Sequence, residues 1–428
     1  MNRHMDLLDE LTARGLIHDS TDGQALAARI AAGPISLYIG FDPTADSLHA
    51  GHLVGQLFMR RFQRAGHRPF PLAGGATGMI GDPSGVSDER NLLDRETLSH
   101  NVERIEAQLR RLLDFEPGPC QAVLVNNADW TAPATLLEFL RDVGKHASIN
   151  QMLAKDSVRT RLDAGDGMSF TEFSYSLLQA NDYWHLHREH GVELQSGASD
   201  QWGNIVAGVD LIRRRDGIAV HGLTHPLMTT QGGAKFGKSA GNAVWLDPDR
   251  TTPYQFWQFW MQTDDDLIGT YQRMLSMRPL DEIEAELAEH AQAPERRTAQ
   301  RALAGEMTDL VHGARAAQDA AQAAAVLFGG DPTDAGEEAI AFVAAEVPSS
   351  RRSGDMIDDA AAVLAETGLA SSKSEARRLV DQGSVRANGQ VLTSLDGLRD
   401  VTLLHGRYLL LRKGRRHHHL VEIFPGRG

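Results

Sequence analysis

The chain has 428 residues, a 42% hydrophobic share, one cysteine and a formal net charge of −14. That length accommodates two or three domains of ordinary globular composition and excludes a fibrous or low-complexity protein. With Cys120 alone no internal disulfide can form, the first residues lack an apolar signal core, and no apolar run is long enough for a bilayer, so a cytoplasmic protein with no membrane association is expected.

Residues 35–39, between Pro34 and Gly40, read as a buried strand. Asp42-Pro43-Thr44 is turn chemistry, because Pro43 disfavours the α region at Asp42. Asp46 or Ser47 can cap the helix that follows over residues 48–65. A strand feeding a helix through a tight turn puts free N–H groups and a positive dipole end at the sheet's carboxyl edge, where phosphates bind in open α/β sheets. His49 and His52 lie three apart on one face of that helix. Gly51 between them leaves room for a flat base or sugar. Histidine donates hydrogen bonds to phosphate and changes charge near neutral pH. Read alone, the pair is better explained as two ordinary surface or core histidines; the strand, turn and cap in register turn the reading towards phosphate.

Further strands are expected at 69–73, 122–125, 192–195 and 223–227, with helices between them such as 201–215. This βαβ rhythm predicts an α/β fold with a Rossmann-like parallel sheet covered on both faces over residues 1–228. Residues 130–170 read as a helical insertion between the halves of the sheet. Cys120 borders a strand-like run and reads as packing. Tyr175, Gln179 and Asp182 fall on one helical face. Lys235-Phe236-Gly237-Lys238-Ser239, after Gly232-Gly233, forms a basic loop within 229–247, suited either to closing over phosphates or simply to solvent. The aromatic helix 253–261 is better explained by core packing than by base stacking. It opens an α-helical domain over 248–330, and 331–354 reads as a linker.

The last segment, 355–428, is a small α+β domain. From residue 351 onward it has 13 Lys and Arg against 9 Asp and Glu, a charge of +4 that leaves −18 on the rest. This asymmetry points to a tail that meets nucleic acid. Ser372 and Glu375 have capping-box spacing at the head of a basic helix. Residues 383–389 are a strand entering an Asn-Gly hairpin turn. Lys373, Arg377, Arg378 and Arg386 are the candidate phosphate contacts, against a basic solvated face as the plain alternative. His417 to His419 precede apolar residues and read as a terminal strand.

Taken together, His49-Ala50-Gly51-His52 and Lys235-Phe236-Gly237-Lys238-Ser239 resemble the two signatures of the class I aminoacyl-tRNA synthetases. Residues 38–52, 74–78, 81–85, 170–175 and 199–204 look like the bacterial tyrosyl-tRNA synthetase family, and the resemblance extends over nearly the whole chain. The tail resembles an RNA-binding module shared by a ribosomal small-subunit protein and other tRNA- and rRNA-binding proteins. The resemblance implies a ligase that activates L-tyrosine with ATP and passes it to tRNA(Tyr), with Mg2+ travelling with the ATP, no metal bound by the protein itself, and a homodimer formed through the insertion. It implies γ-phosphate contacts from Thr44 and His49. Lys235, Lys238 and Ser239 would close over pyrophosphate, with Arg90 taking more of that role because Val86 stands where the family often has a lysine. His52, Gly51, Gly40 and Asp42 would lie along the ATP, and Asp200 on the ribose. Tyr38 and Asp182 would meet the phenol, and Asp82, Tyr175 and Gln179 the ammonium, with Thr77, Asn127 and Gln201 lining the pocket. Ala198 replaces a glycine usual in the family, and its methyl is expected to crowd the ribose. Without the resemblance, Asp82 and Asp182 read as capping or solvent-paired residues. Three rivals remain: a tryptophanyl-tRNA synthetase of the same fold, an inactive RNA-binding scaffold, and another adenylyl transferase.

Overall fold

The computed structural model describes residues 6–82, 93–163, 165, 167–230, 236, 238–239, 242–353, 359–414 and 416–424. Arg90 and Val86, Lys235 and Gly237 lie outside these. Lys238 and Ser239 are described in their backbone alone. The chain divides into two compact units, residues 1–251 with 263–300, and residues 252–262 with 301–428.

The first unit is built on a five-stranded parallel sheet of order β3-β2-β1-β4-β5. Its strands are β1 (Ser36–Phe41), β2 (Arg68–Ala73), β3 (Val125–Asn126), β4 (Val192–Ala198) and β5 (His221–His225). Parallel strands are covered on both faces, so they carry continuous apolar runs. Leu37, Tyr38, Ile39, Phe70 and Leu72 are all buried. The helix Leu53–Arg64 is buried at ten positions from Leu53 to Gln63, and the helices Phe170–His190 and Trp202–Asp216 pack against each other. The first of these is started by a full capping box, Glu172 N to Ser169 Oγ at 3.2 Å and Ser169 N to Glu172 Oε2 at 3.3 Å, a device that contributes about 1 kcal/mol. It stops at Gly191, whose φ of 64° needs no Cβ penalty.

One strand is shorter than the expected 122–125. Only Val125 and Asn126 pair with β2, through Leu72 and Ala73. The cause lies in the neighbour. Pro69 and Pro71 have no N–H, and Pro69 turns its carbonyl towards the β3 side, where it accepts from Val123 N at 3.0 Å. Both missing donors therefore fall on the edge that 122–124 would use, and the ladder closes only beyond them.

A short antiparallel pair, β6 (Lys238–Ser239) and β7 (Asn242–Ala243), also belongs to the first unit. The second unit holds the aromatic helix Pro253–Met261, which packs on Ala314–Leu327 with Phe256 and Trp260 buried. The expected single helical domain of 248–330 is thus shared: Asp265–Leu275 and Leu280–His290 belong to the first unit. The expected linker of 331–354 is not featureless. It contains the helix Glu337–Glu346 and the strand β8 (Ser349–Ser353). Ala339, Ile340 and Val343 give that helix an apolar face, which is buried. Strand β8 completes a sheet of order β10-β9-β11-β12-β8, with β9 (Val385–Ala387), β10 (Gln390–Val391), β11 (Tyr408–Lys413) and β12 (His417–Phe424). The turn between β9 and β10 has positive φ at Asn388 (46°) and Gly389 (84°), as an Asn-Gly hairpin demands. The three histidines do open a terminal strand. Ser372 caps Lys373–Asp381 through Glu375 N, while the Glu375 carboxylate reaches back one residue further than a capping box requires, to Ser371 N at 2.6 Å.

Candidate active site

A cavity of about 330 Å³ opens at the carboxyl ends of β1 and β4. These two strands flank the point where strand order reverses, the place where an open α/β sheet leaves a crevice. Its walls include Tyr38, Gly40, Asp42, Thr44, His49, Gly51, His52, Thr77, Asp82, Tyr175, Gln179, Asp182, Asp200, Gln201 and Phe236. Every residue with a described side chain that is expected around tyrosine or ATP is in that wall except Asn127, whose amide is bonded to two wall residues, Thr77 and Asp182.

At one end sits a buried acid. Asp182 accepts from Trp130 Nε1 at 2.8 Å and from Asn127 Nδ2 at 3.0 Å. Burial pushes its carboxyl up to about 7, in spite of those two donors. Tyr38 is 1% exposed beside it, its hydroxyl in a long 3.5 Å contact with the Gln179 carbonyl. Burial holds the Tyr38 phenol well above its usual pKa, so it remains a neutral donor. Trp130 was not singled out in the sequence, where it marks only the start of the insertion. No local spacing reveals a donor whose acceptor lies 52 residues away.

A second network runs from this end along the wall. Asn127 Nδ2 also reaches Thr77 Oγ1 at 3.0 Å, and Thr77 Oγ1 donates to Asp42 Oδ1 at 2.7 Å. Asp42 Oδ2 accepts from the Tyr175 hydroxyl at 2.7 Å. Asp42, expected beside the nucleotide, is therefore tied to residues expected around tyrosine. Gly74 permits this closeness: a Cβ there would stand 2.2 Å from Asp42 Oδ1 and 2.6 Å from Thr77 Oγ1. Asp82 Oδ2 accepts from Gln201 Nε2 at 2.7 Å.

At the other end the two histidines stack, ring centroids 3.9 Å apart. His49 is itself the N-cap, in extended conformation, in place of Asp46 or Ser47. Its Nδ1 accepts from Gly51 N at 3.1 Å, and His52 Nδ1 accepts from His49 N at 3.1 Å. The Ser47 hydroxyl instead donates to the Leu48 carbonyl at 2.7 Å. Because both Nδ1 atoms accept, both rings carry their proton on Nε2 and offer it as a donor. Burial, then the neighbouring His49, lowers the His52 pKa well below normal, so His52 donates as a neutral ring and does not change charge near pH 7. Gly51 has a tighter task than leaving room for a ligand: a Cβ there would meet His49 Cε1 at 2.9 Å and the Phe236 carbonyl at 3.1 Å.

Phe236 brings the second sequence signal to the first. It is 5% exposed, lines the cavity, and donates its N–H to the Met228 carbonyl at 3.1 Å. Ala198 is also in the wall. Among the described residues no group of three or more His, Cys, Asp or Glu side chains could hold a metal ion, and no helix is long and apolar enough to cross a membrane.

In the second unit Arg377 and Arg378 are exposed on the helix Lys373–Asp381, whose other face buries Ala376, Leu379 and Val380, and Arg386 is exposed on β9. Lys373 Nζ pairs with Asp359 at 2.9 Å, and Arg386 Nη1 donates to the Gly389 carbonyl at 2.8 Å.

A buried acid and phenol at one end, and neutral imidazole donors at a strand-to-helix turn at the other, match the arrangement expected of a class I synthetase site. Residues 31–329 match the family model of tRNA synthetases class I (W and Y), and residues 339–421 match that of the Tyrosine--tRNA ligase SYY-like C-terminal domain. The chain is 50% identical over 422 residues to the tyrosine–tRNA ligase of Anaeromyxobacter dehalogenans, covering 98% of this chain and 99% of that one. It is 48% identical over 423 residues to that of Streptomyces coelicolor, covering 98% and 99%. A solved structure of a C-terminally truncated mitochondrial tyrosyl-tRNA synthetase from Aspergillus nidulans superposes with a TM-score of 0.70 at 33% identity, over 76% of this chain and 95% of that one. The chain belongs to the class I tRNA synthetases of the W and Y type, and within them to the tyrosine–tRNA ligase family.

Proposed function

We infer that this chain activates L-tyrosine with ATP, releasing pyrophosphate, and transfers the tyrosyl group to the terminal adenosine of tRNA(Tyr). The observation that carries this reading is the buried Tyr38–Asp182 pair in the same cavity as the stacked His49 and His52. A tyrosine phenol there donates to Asp182 and accepts from Tyr38. Phenylalanine would bring neither a donor to Asp182 nor an oxygen for Tyr38 to donate to, a loss of about 1–3 kcal/mol for each buried hydrogen bond left unmade. Tryptophan brings an indole N–H but no oxygen for Tyr38 to donate to.

The tyrosine carboxylate attacks the α-phosphorus of ATP and pyrophosphate leaves, with no protein nucleophile in the path. Acceleration then rests on position and on donors aimed at the phosphates as charge moves onto them. Thr44 and the His49 Nε2–H serve the γ-phosphate, and Lys235, Lys238 and Ser239 the departing pyrophosphate, with Arg90 assisting where Val86 supplies no cation. His52, Gly51, Gly40 and Asp42 lie along the ATP, and Asp200 accepts from the ribose. Asp82, Tyr175 and Gln179 hold the ammonium. Mg2+ arrives as the counter-ion of ATP. Lys373, Arg377, Arg378 and Arg386 meet tRNA phosphates.

The working form is a cytoplasmic homodimer. Leu136, Leu137, Ile149 and Phe170, in and beside the insertion, are 71%, 79%, 59% and 78% exposed, an apolar surface that a second copy would cover. Sedimentation of Leu137→Asp tests this, and a wild type that sediments as an active monomer removes it. Pyrophosphate exchange tests the activity: exchange must depend on tyrosine. Exchange supported by tryptophan alone, or none from folded protein, would overturn the reading.

A further inference from the structure

His225 is a buried histidine with no role in the chemistry above, yet it lines the same cavity. It ends β5, is 5% exposed, and packs against Phe58 with ring centroids 5.8 Å apart and the planes tilted by 45°. Its Nδ1 faces the Pro226 carbonyl at 3.1 Å, so the proton is on Nδ1 and Nε2 is a bare acceptor. Burial lowers its pKa to about 4, which keeps that acceptor free of a proton at neutral pH. Among the described residues Nε2 has no hydrogen-bond partner.

The way from Nε2 to the cavity passes Gly55. This glycine follows Gly51 by one helical turn and lines the cavity too. A Cβ on Gly55 would stand 3.7 Å from His225 Nε2, an ordinary contact. The backbone therefore tolerates alanine, and the missing methyl leaves the nitrogen uncovered. A second polar atom shares this wall. Ser196 is 4% exposed and its hydroxyl has no partner among the described residues. Ser196 and Ala198 lie on one face of β4, and Ala198 is the register partner of His225. An acceptor and an unpartnered hydroxyl thus flank the stretch of cavity beside Gly51 and His52.

We propose that His225 is a nucleoside-recognition residue, its Nε2 accepting a hydrogen bond from the adenosine of ATP through the gap at Gly55, with Ser196 Oγ as the neighbouring contact. This rests on the reading that ATP occupies this cavity. Adenosine has two kinds of donor that qualify, the adenine amino group and the ribose hydroxyls.

The test combines ATP titration calorimetry with tyrosine-dependent pyrophosphate exchange on the full chain, wild type against His225→Phe, Gly55→Ala and Ser196→Ala. The phenylalanine keeps the ring packing on Phe58 and removes the acceptor; the alanine at 55 keeps the histidine and covers it. For His225→Phe and Gly55→Ala the expected result is a rise of about three- to tenfold in Kd and KM for ATP, with the KM for tyrosine within about twofold of wild type. Ser196→Ala should give a smaller rise of the same kind. With 2′-deoxy-ATP or N6,N6-dimethyl-ATP, whichever lacks the recognised donor, wild type and His225→Phe should converge. ATP binding unchanged within twofold in both His225→Phe and Gly55→Ala would overturn the proposal, as would equal penalties for ATP and both analogues, which mean packing alone. Variant-sensitive ATP binding without tyrosine-dependent exchange would sink the ligase reading and leave this one standing. A wild type that neither binds ATP nor exchanges would sink both.

Discussion

At the Tyr38 end of the cavity each oxygen of Asp182 already has an N–H donor, from Trp130 and from Asn127, and all three side chains are held by the sheet and the long helix behind it. At the His49 end the donors are two imidazoles fixed by backbone hydrogen bonds, and one wall is a carbonyl from Phe236, nearly two hundred residues downstream in the chain. The first end is complete before a ligand arrives. The second is assembled from separate pieces of chain. On the proposed reading the difference follows from two tasks. Telling a phenol from a benzene ring requires acceptors that cannot relax when the wrong substrate enters. Stabilising phosphates requires donors placed where charge develops, and these can be completed by a segment that moves.

The sharpest way to break this comparison is at the assembled end. His49→Ala removes a donor and also the N-cap of the helix start, and turnover in pyrophosphate exchange should fall about 10²- to 10³-fold with the KM for tyrosine little changed. An equal loss in tyrosine binding would mean that the two ends are not separable. At the finished end, Asp182→Asn should cut the preference for tyrosine over phenylalanine about 10- to 100-fold. It should also reveal what the cage costs. A carboxyl raised from 3.8 to about 7 in the folded protein still holds its proton where the unfolded chain has already lost it. Stability therefore declines as pH rises from about 4 to about 7, by up to about 4 kcal/mol, and is level above that. The melting temperature of Asp182→Asn should accordingly gain on wild type across that window, and a constant difference from pH 4 to pH 8 would contradict it. Trp130→Phe takes away one donor to Asp182 and should lower kcat/KM for tyrosine about tenfold, with the KM for ATP unchanged. The smallest effect belongs to the tail: Arg378→Ala should raise the KM for tRNA about two- to fivefold and reduce the salt slope of binding by about one, while exchange continues as before.

The parallel sheet was readable because its strands are apolar runs punctuated by Pro34, Gly40 and their like, and the turn at Asp42-Pro43 announced itself by its chemistry. The extent of β3 was not, since the prolines that shorten it belong to the neighbouring strand. Nor was the capping role of His49, because Asp46 and Ser47 are better caps by residue type and only the fold sends the Ser47 hydroxyl to Leu48 and Gln108. The candidate site was legible residue by residue through its resemblance to a family. What the residues alone could not give was connectivity: that Asp42 answers to Tyr175, that Trp130 stands behind Asp182, or that His225 looks past Gly55. The stretch 331–354 reads as a linker from its Gly, Pro and Ser content, although Ala339, Ile340 and Val343 between those breakers form a buried helical face.

The reversal of strand order has a further consequence for how the molecule comes into being. Strand β1 pairs with β4 across roughly 150 residues of intervening chain, and contacts of such long sequence separation are slow to close. During synthesis the crevice cannot exist until β4 has left the ribosome, long after β1 has done so. On the proposed reading tyrosine binds only the closed seam, and it should then act as a chemical chaperone, trapping late arrivals in the native basin by mass action.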